Sequence, residues 1–238
     1  MTSKQWLLSS CVAFTCLVST YAVAGPIENY SSVTSARLEN PEPGNWMLYR
    51  RTYDGQGFSP LNQINTSNVK DLKPVWTFST GVLRGHEGSP LVIGDIMYVH
   101  TPFPNNIFAL DLANEGRILW RYEPQQDPNV IAVMCCDTVN RGVAYGDGKI
   151  FLHQADTTLV ALDAKTGKVE WSVKNGDPSK GSTGTSAPMV IKDKVLIGIS
   201  GGEFGVQAHM SAYDIKTGKL VWRGFSEGPD DQILVDDK

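Results

Sequence analysis

The sequence predicts an all-β fold, a β-propeller assembled from four-stranded blades. Three observations carry that expectation. A tryptophan-containing motif recurs at a fixed spacing, and a second hairpin pattern precedes each copy. The 238 residues also include Gly 23 and Pro 13, which suit many short elements better than long helices.

The rest of the composition excludes other classes. Lys+Arg 21 against Asp+Glu 25 leaves a net charge of −4. There is no basic stripe to neutralise phosphates, so a nucleic-acid partner is not expected. A hydrophobic content of 41% is too high for disorder. The glycine-rich stretches lack phosphate-loop and dinucleotide patterns, so ATP and NAD are not implied.

Residues 1–24 read as a secretory signal peptide. Lys4 is their only charge, an apolar run follows from Trp6 to Val18, and Ala22-Val23-Ala24 forms a small-x-small site before Gly25. The run is shorter than the roughly 20 residues that span a bilayer. Cleavage after Ala24 leaves a mature chain, 25–238, in an oxidising compartment. Cys11 and Cys16 leave with the signal, so the adjacent pair Cys135 and Cys136 are the cysteines that remain.

The repeat comes next. Trp76, Trp120, Trp171 and Trp222 are spread evenly, the last three separated by 51 and 51 residues. Ala161-Leu162-Asp163-Ala164-Lys165-Thr166-Gly167-Lys168-Val169-Glu170-Trp171 matches Ala212-Tyr213-Asp214-Ile215-Lys216-Thr217-Gly218-Lys219-Leu220-Val221-Trp222 position by position, and a looser copy, one residue longer, ends at Trp120. Within one unit, 159–162 is an apolar strand, 163–167 a turn, and 168–171 a return strand ending at the tryptophan. The aspartate is expected to accept from turn amides and the glycine to take a positive φ. The indole is a large plate able to stack on the next unit, which places Trp120, Trp171 and Trp222 at successive blade junctions. Upstream hairpins are read at 91–99, 143–152 and 188–197. Two hairpins per roughly 50 residues make a four-stranded blade. The competing arrangement is a β-sandwich.

The Ala-x-Asp-x-x-Thr-Gly-Lys-x-x-Trp element resembles the tryptophan-docking motif of the PQQ-dependent (pyrroloquinoline quinone) alcohol dehydrogenases, whose fold is an eight-bladed quinoprotein propeller. Phe58-Ser59-Pro60-Leu61-Asn62-Gln63-Ile64-Asn65, followed by Asn68-Val69-Lys70-Asp71-Leu72, is similar to that family's N-terminal entry. The resemblance runs from Asn45 to the chain end. It is closest to the methanol dehydrogenases and, within them, to the lanthanide-dependent branch. It implies a periplasmic enzyme that oxidises a small primary alcohol, methanol foremost, using PQQ and either Ca²⁺ or a lanthanide ion. Electrons would pass to a c-type cytochrome, and the full-length enzyme would be a homo-oligomer.

The resemblance also assigns roles residue by residue. Adjacent Cα atoms sit about 3.8 Å apart, closer than in most disulfides. The residues alone therefore leave two free thiols, an intermolecular bridge or a vicinal disulfide open for Cys135 and Cys136. The resemblance implies the vicinal disulfide, lying flat against the quinone ring. Arg141 matches an arginine that contacts the cofactor, whose carboxylates and ortho-quinone suit a guanidinium's paired donors. Glu87, in Arg84-Gly85-His86-Glu87-Gly88-Ser89-Pro90, matches a glutamate that hydrogen-bonds PQQ. Thr185 matches a threonine whose hydroxyl binds a PQQ carboxylate. In Ser200-Gly201-Gly202-Glu203, the serine contacts PQQ and Gly201-Gly202 let the backbone approach it. Glu203 is a hard oxygen ligand for the cation, which is also chelated by PQQ and polarises a quinone carbonyl. His86, His100, His153 and His209 have no metal-ligand spacing and are read as structural.

At roughly 50 residues per blade the chain has room for three to four blades of such a ring. It reads as a partial propeller domain, 25–238, from the N-terminal part of such an enzyme. The catalytic aspartate, a metal-binding asparagine, the further aspartate of the lanthanide branch and the tryptophan over the other quinone face would lie beyond residue 238. No catalytic residue is assigned within the chain, and it is expected to be inactive alone. The alternatives are a non-catalytic periplasmic scaffold of the same repeats and a self-contained four-bladed propeller. A scaffold has no need of Cys135-Cys136 or of Gly201-Gly202-Glu203.

Overall fold

The computed structural model describes residue 27 and residues 32–233. The expected signal peptide lies outside the described residues. Among these, no helix is long and apolar enough to cross a membrane.

The described chain forms three antiparallel four-stranded sheets, each a meander in sequence order. Blade 1 is β1 (Leu91–Ile93), β2 (Ile96–His100), β3 (Ile107–Asp111) and β4 (Arg117–Tyr122). Blade 2 is β5 (Val143–Gly146), β6 (Lys149–His153), β7 (Thr158–Asp163) and β8 (Val169–Lys174). Blade 3 is β9 (Met189–Ile191), β10 (Lys194–Gly198), β11 (His209–Asp214) and β12 (Leu220–Phe225). The hairpins expected upstream of each repeat are β1–β2, β5–β6 and β9–β10.

The outer hairpins explain the repeated motif. In every blade the alanine of the motif stands opposite its tryptophan: Ala109 faces Trp120, Ala161 faces Trp171, and Ala212 faces Trp222. All three alanines are fully buried, and the register slips immediately after each one. A methyl group is what fits beneath the indole at that bulge. The aspartate shapes the turn as expected: Asp163 Oδ1 accepts from the Thr166 amide at 2.8 Å and its hydroxyl at 2.7 Å. Asp214 repeats this with Thr217 at 2.9 and 2.7 Å. Gly167 and Gly218 close the turns at φ 69° and 68°. In the longer first copy the extra residue, Glu115, takes a left-handed φ of 53° just before Gly116.

Trp120 and Trp171 each reach the turn of the following blade. Trp120 Nε1 donates to the carbonyl of Ala164 at 3.0 Å, and Trp171 Nε1 to that of Ile215 at 3.1 Å. The rings cover Gly167 and Gly218 so closely that a Cβ at either glycine would lie 2.6 Å from an indole carbon. Trp76 covers Gly116 in the same way, at 2.6 Å.

Two expectations need correction. Trp222 does not sit at a junction: it is 38% exposed, because the described residues contain no fourth blade for it to meet. Nor does the return strand end at the tryptophan. β7 begins at Thr158, upstream of Ala161, so the ladder continues to the pair Thr158–Lys174.

The core lies between the blades. Ile150, Leu152, Val160 and Leu162 of blade 2 pack with Tyr98 and Ile107 of blade 1. The alternate residues Phe151, Leu159 and Ala161 pack with Val195, Ile197 and Tyr213 of blade 3. Strand periodicity thus makes blade 2 apolar on both faces. The inner edges of the sheets are crossed by a strap. Trp46 and Val92 exchange two backbone hydrogen bonds at 2.9 Å, the Tyr49 ring lies against Gly142, and Tyr53 Oη donates to the Val190 carbonyl at 2.9 Å. Residues 46–53 therefore touch the innermost strand of each blade or the residue before it.

Candidate functional site

In an antiparallel meander, the first and third connections of each blade share one end. The entry, the second connection and the exit share the other. The docking turns are third connections. The residues singled out from the sequence all lie at the opposite end: Glu87 on the entry to β1, Cys135, Cys136 and Arg141 between β4 and β5, Thr185 between β8 and β9, and Ser200, Gly201, Gly202 and Glu203 between β10 and β11.

A line of contacts joins them. Arg84 Nη1 pairs with Asp137 Oδ1 at 2.9 Å, which ties the Cys135-Cys136 loop to the loop carrying Glu87. The Gly85 amide also reaches Asp137, at 3.5 Å. Partial desolvation pushes the Asp137 carboxyl up, but the amides of Thr138 and Gly85 and the Arg84 guanidinium outweigh it and hold it below its ordinary value. Arg141 Nη2 lies 3.3 Å from Glu87 Oε2. The Arg141 amide donates to the Thr185 carbonyl at 3.0 Å. Thr185 Oγ1 and Ser200 Oγ share a hydrogen bond at 2.8 Å. Beside them, Thr183 and Ser200 exchange backbone bonds at 3.1 and 3.0 Å.

Local backbone geometry sets the remaining members. The sulfurs of Cys135 and Cys136 are in contact across a Cα–Cα distance of 3.8 Å. Cys136 and Asp137 both adopt left-handed φ, 65° and 67°, a region few non-glycine residues enter. Gly201 turns the chain at φ 122°, and the short 3₁₀ turn Gly202–Phe204 then presents Glu203 to solvent. Space beside Gly202 is open: a Cβ there would meet nothing within 4 Å.

The contacts set the Arg141 guanidinium beside the Glu87 carboxylate. The Arg141 and Glu87 side chains are 43% and 49% exposed, so neither is committed to the interior. The hydroxyl pair of Thr185 and Ser200 is linked to the Arg141 loop through the Arg141 amide and the Thr185 carbonyl. Among the described residues no three His, Cys, Asp or Glu side chains cluster to hold a metal ion.

The sequence reading missed Arg84, Asp137 and Asn140. Asn140 lies beneath the loops, with Nδ2 donating to the His153 carbonyl at 2.8 Å and its own carbonyl 3.1 Å from His100 Nε2. His100 and His153 end β2 and β6 and are buried. Burial pushes both imidazoles down to about 4. Only the position of Asp137, directly after Cys136, hinted at its part.

Residues 46–234 match the PQQ family model, described as the glucose/ethanol/alcohol dehydrogenase β-propeller domain. The lanthanide-dependent methanol dehydrogenase of Methylorubrum extorquens is 68% identical over 194 residues, which is 82% of this chain and 32% of that protein. Subunit 1 of a methanol dehydrogenase [cytochrome c] from Paracoccus denitrificans is 52% identical over 200 residues, with 82% and 32% covered. The solved structure of a europium-containing methanol dehydrogenase superposes with TM-score 0.82 at 53% identity, covering 85% of this chain and 35% of that one. The chain thus spans about a third of the length of the curated relatives it matches. The repeated docking turns, the three blades and the family match over 46–234 agree: this chain belongs to the PQQ-dependent alcohol dehydrogenase β-propeller family.

Proposed function

We propose that this chain supplies one wall of a PQQ pocket in a periplasmic dehydrogenase for a small primary alcohol, methanol foremost, with a c-type cytochrome as electron acceptor. The observation that carries the reading is the continuous line of contacts from the Cys135-Cys136 loop through Glu87, Arg141 and Thr185 to Ser200, at one end of three blades. The export signal read at 1–24 supports the compartment, and the printed names of the relatives support substrate and acceptor.

Each residue has a stated part. Cys135 and Cys136, joined as a vicinal disulfide, form a flat apolar plate against the ring. Arg141 donates its paired N–H groups to the quinone side, while Glu87 accepts from the ligand and holds the guanidinium in place. The Thr185 and Ser200 hydroxyls bind carboxylate, and Gly201-Gly202 keep the approach free of side chains. Glu203 ligates the cation, a lanthanide in preference to Ca²⁺ given the lanthanide-dependent relative. Bound PQQ supplies the two-electron acceptor that no side chain here provides. The chain alone is expected not to turn over, because one carboxylate falls short of the six or more oxygens such a cation takes. A repeat scaffold without a cofactor would leave the glycine-flanked Glu203 and the cysteine pair without a purpose.

Titration of the purified chain with PQQ, followed by tryptophan fluorescence, tests the reading. Saturable quenching is expected, weakened at least tenfold by Arg141→Ala. Quenching that Arg141→Ala leaves unchanged would overturn it.

A further inference from the structure

Glu87 and Arg141 stand on loops that share one buried foundation. His100, at the end of β2, fills the space beside Gly88: a Cβ there would lie 1.8 Å from its Cε1 and 1.9 Å from its Nε2. The same Nε2 stands 3.1 Å from the Asn140 carbonyl. One ring thus touches the residue after Glu87 and the residue before Arg141. Gly142, the residue after Arg141, bridges to Ser89 of the Glu87 loop. The two loops therefore meet on both sides of Arg141, and neither contact involves the Arg141 side chain.

A single side chain fixes the backbone on both sides of Arg141. Asn140 is 1% exposed. Its Nδ2 donates to the His153 carbonyl at 2.8 Å, and its Oδ1 accepts from the Gly142 amide at 3.2 Å. Asn140 thus closes a turn over Arg141 and anchors that turn to the end of β6. Gly142 has little freedom of its own, since a Cβ there would stand 3.0 Å from Ala187 Cβ and 3.3 Å from the Tyr49 ring. The Arg141 amide adds a bond to the Thr185 carbonyl at 3.0 Å, which fixes one point of the turn but not its rotation about that point. The Arg141 side chain is 43% exposed and meets Glu87 Oε2 at 3.3 Å. A half-exposed pair of this kind is too weak to set a loop conformation by itself. The guanidinium is aimed from below, by main chain that Asn140 holds.

We propose that Asn140 is a positioning residue for Arg141, holding the guanidinium in register with Glu87 where the bound quinone meets them. The inference rests on the reading of Arg141 as a PQQ contact. Removing the Asn140 amide leaves the buried His153 carbonyl and Gly142 amide without that partner, so the turn relaxes where Arg141 sits. The consequence is coupling: a change at 140 weakens PQQ only while Arg141 is present. A general loosening of the protein weakens PQQ whether or not Arg141 is there.

The test is a double-mutant cycle on the purified chain, with PQQ affinity read by tryptophan fluorescence. Asn140→Ala is expected to weaken PQQ by about fivefold or more in the parent, and by less than about twofold in Arg141→Ala. Asn140→Ser, whose hydroxyl still accepts from the Gly142 amide, is expected to recover to within about threefold of the parent. It carries the same cycle if Asn140→Ala does not fold. Asn129→Ala, at an exposed position earlier in the same connection, is expected to match the parent. Parent-like affinity in Asn140→Ala, or equal losses with and without Arg141, overturns the proposal. Arg141→Ala alone separates the two levels. If it binds PQQ as the parent does, the pocket reading fails and the positioning role with it. If it weakens PQQ while the change at 140 costs the same factor in both backgrounds, only the positioning role fails.

Discussion

The indole nitrogen of Trp171 donates to the Ile215 carbonyl at 3.1 Å, and its ring covers Gly218 of the next blade. That side chain adds to the shared core that joins blade 2 to blade 3. Trp171→Ala is expected to cost about 3–5 kcal/mol, the range for emptying a large aromatic site. Trp222→Ala, in the same position of the motif but 38% exposed, is expected to cost under about 1 kcal/mol. Urea denaturation of both variants checks the contrast, and equal losses would refute the docking role.

Acid should loosen the protein through its buried histidines. His100 and His153 are held near 4 by burial, against about 6.5 in an unfolded chain. The unfolded state therefore binds more protons between these values. Stability is full above about 6.5, falls as pH drops toward 4, and levels off below that. The size is on the order of 3 kcal/mol per histidine. Carboxylates held low, such as Asp137, add an acid loss of their own, so the measurement is a difference. His100→Gln should show a shallower decline than the parent in urea midpoints taken from pH 7.5 to 4.

Arg141 and Glu87 separate binding from stability. Their 3.3 Å pair is half-exposed, so it contributes at most about 1 kcal/mol to folding. Arg141→Lys keeps the charge but loses the planar fork. It should melt within a degree or two of the parent, yet bind PQQ about tenfold more weakly. A large change in melting with unchanged PQQ affinity would reverse this assignment.

The cysteine pair can be counted directly. If Cys135 and Cys136 are bridged, the exported chain reacts with no thiol reagent when denatured without reductant, and with two equivalents after reduction. Two reactive thiols in the unreduced, denatured chain would remove the disulfide from the pocket.

Dye-linked methanol oxidation by the chain alone, supplied with PQQ and Ca²⁺ or a light lanthanide, is expected to be absent. Turnover abolished by Glu203→Ala would show that the chain carries a complete site.

Local chemistry was the legible part of this molecule. Asp163, Thr166 and Gly167 form a turn from contacts within five residues, so the hairpins could be read directly. The target of each indole could not: Trp120 meets Ala164 across 44 residues, and only the stacked blades bring them together. Trp222 was misplaced for the same reason, since docking is a property of the neighbour. The loops bearing Glu87, Arg141, Thr185 and Ser200 were found through the resemblance, while the Arg84–Asp137 tie, 53 residues apart, carried no local signal. The strap at 46–53 was invisible too, because it pairs by single residues without a strand's alternation.

The docking turns and the loops proposed to hold the cofactor stand at opposite ends of each described blade, and heredity can act on each alone. Drift in the loops would alter the proposed pocket. Drift at Gly167 or Gly218 alters whether the ring coheres. A duplicated blade arrives with its joints already specified and its loops free to diverge, so a chain of such units lengthens by copying without reworking the fit between neighbours.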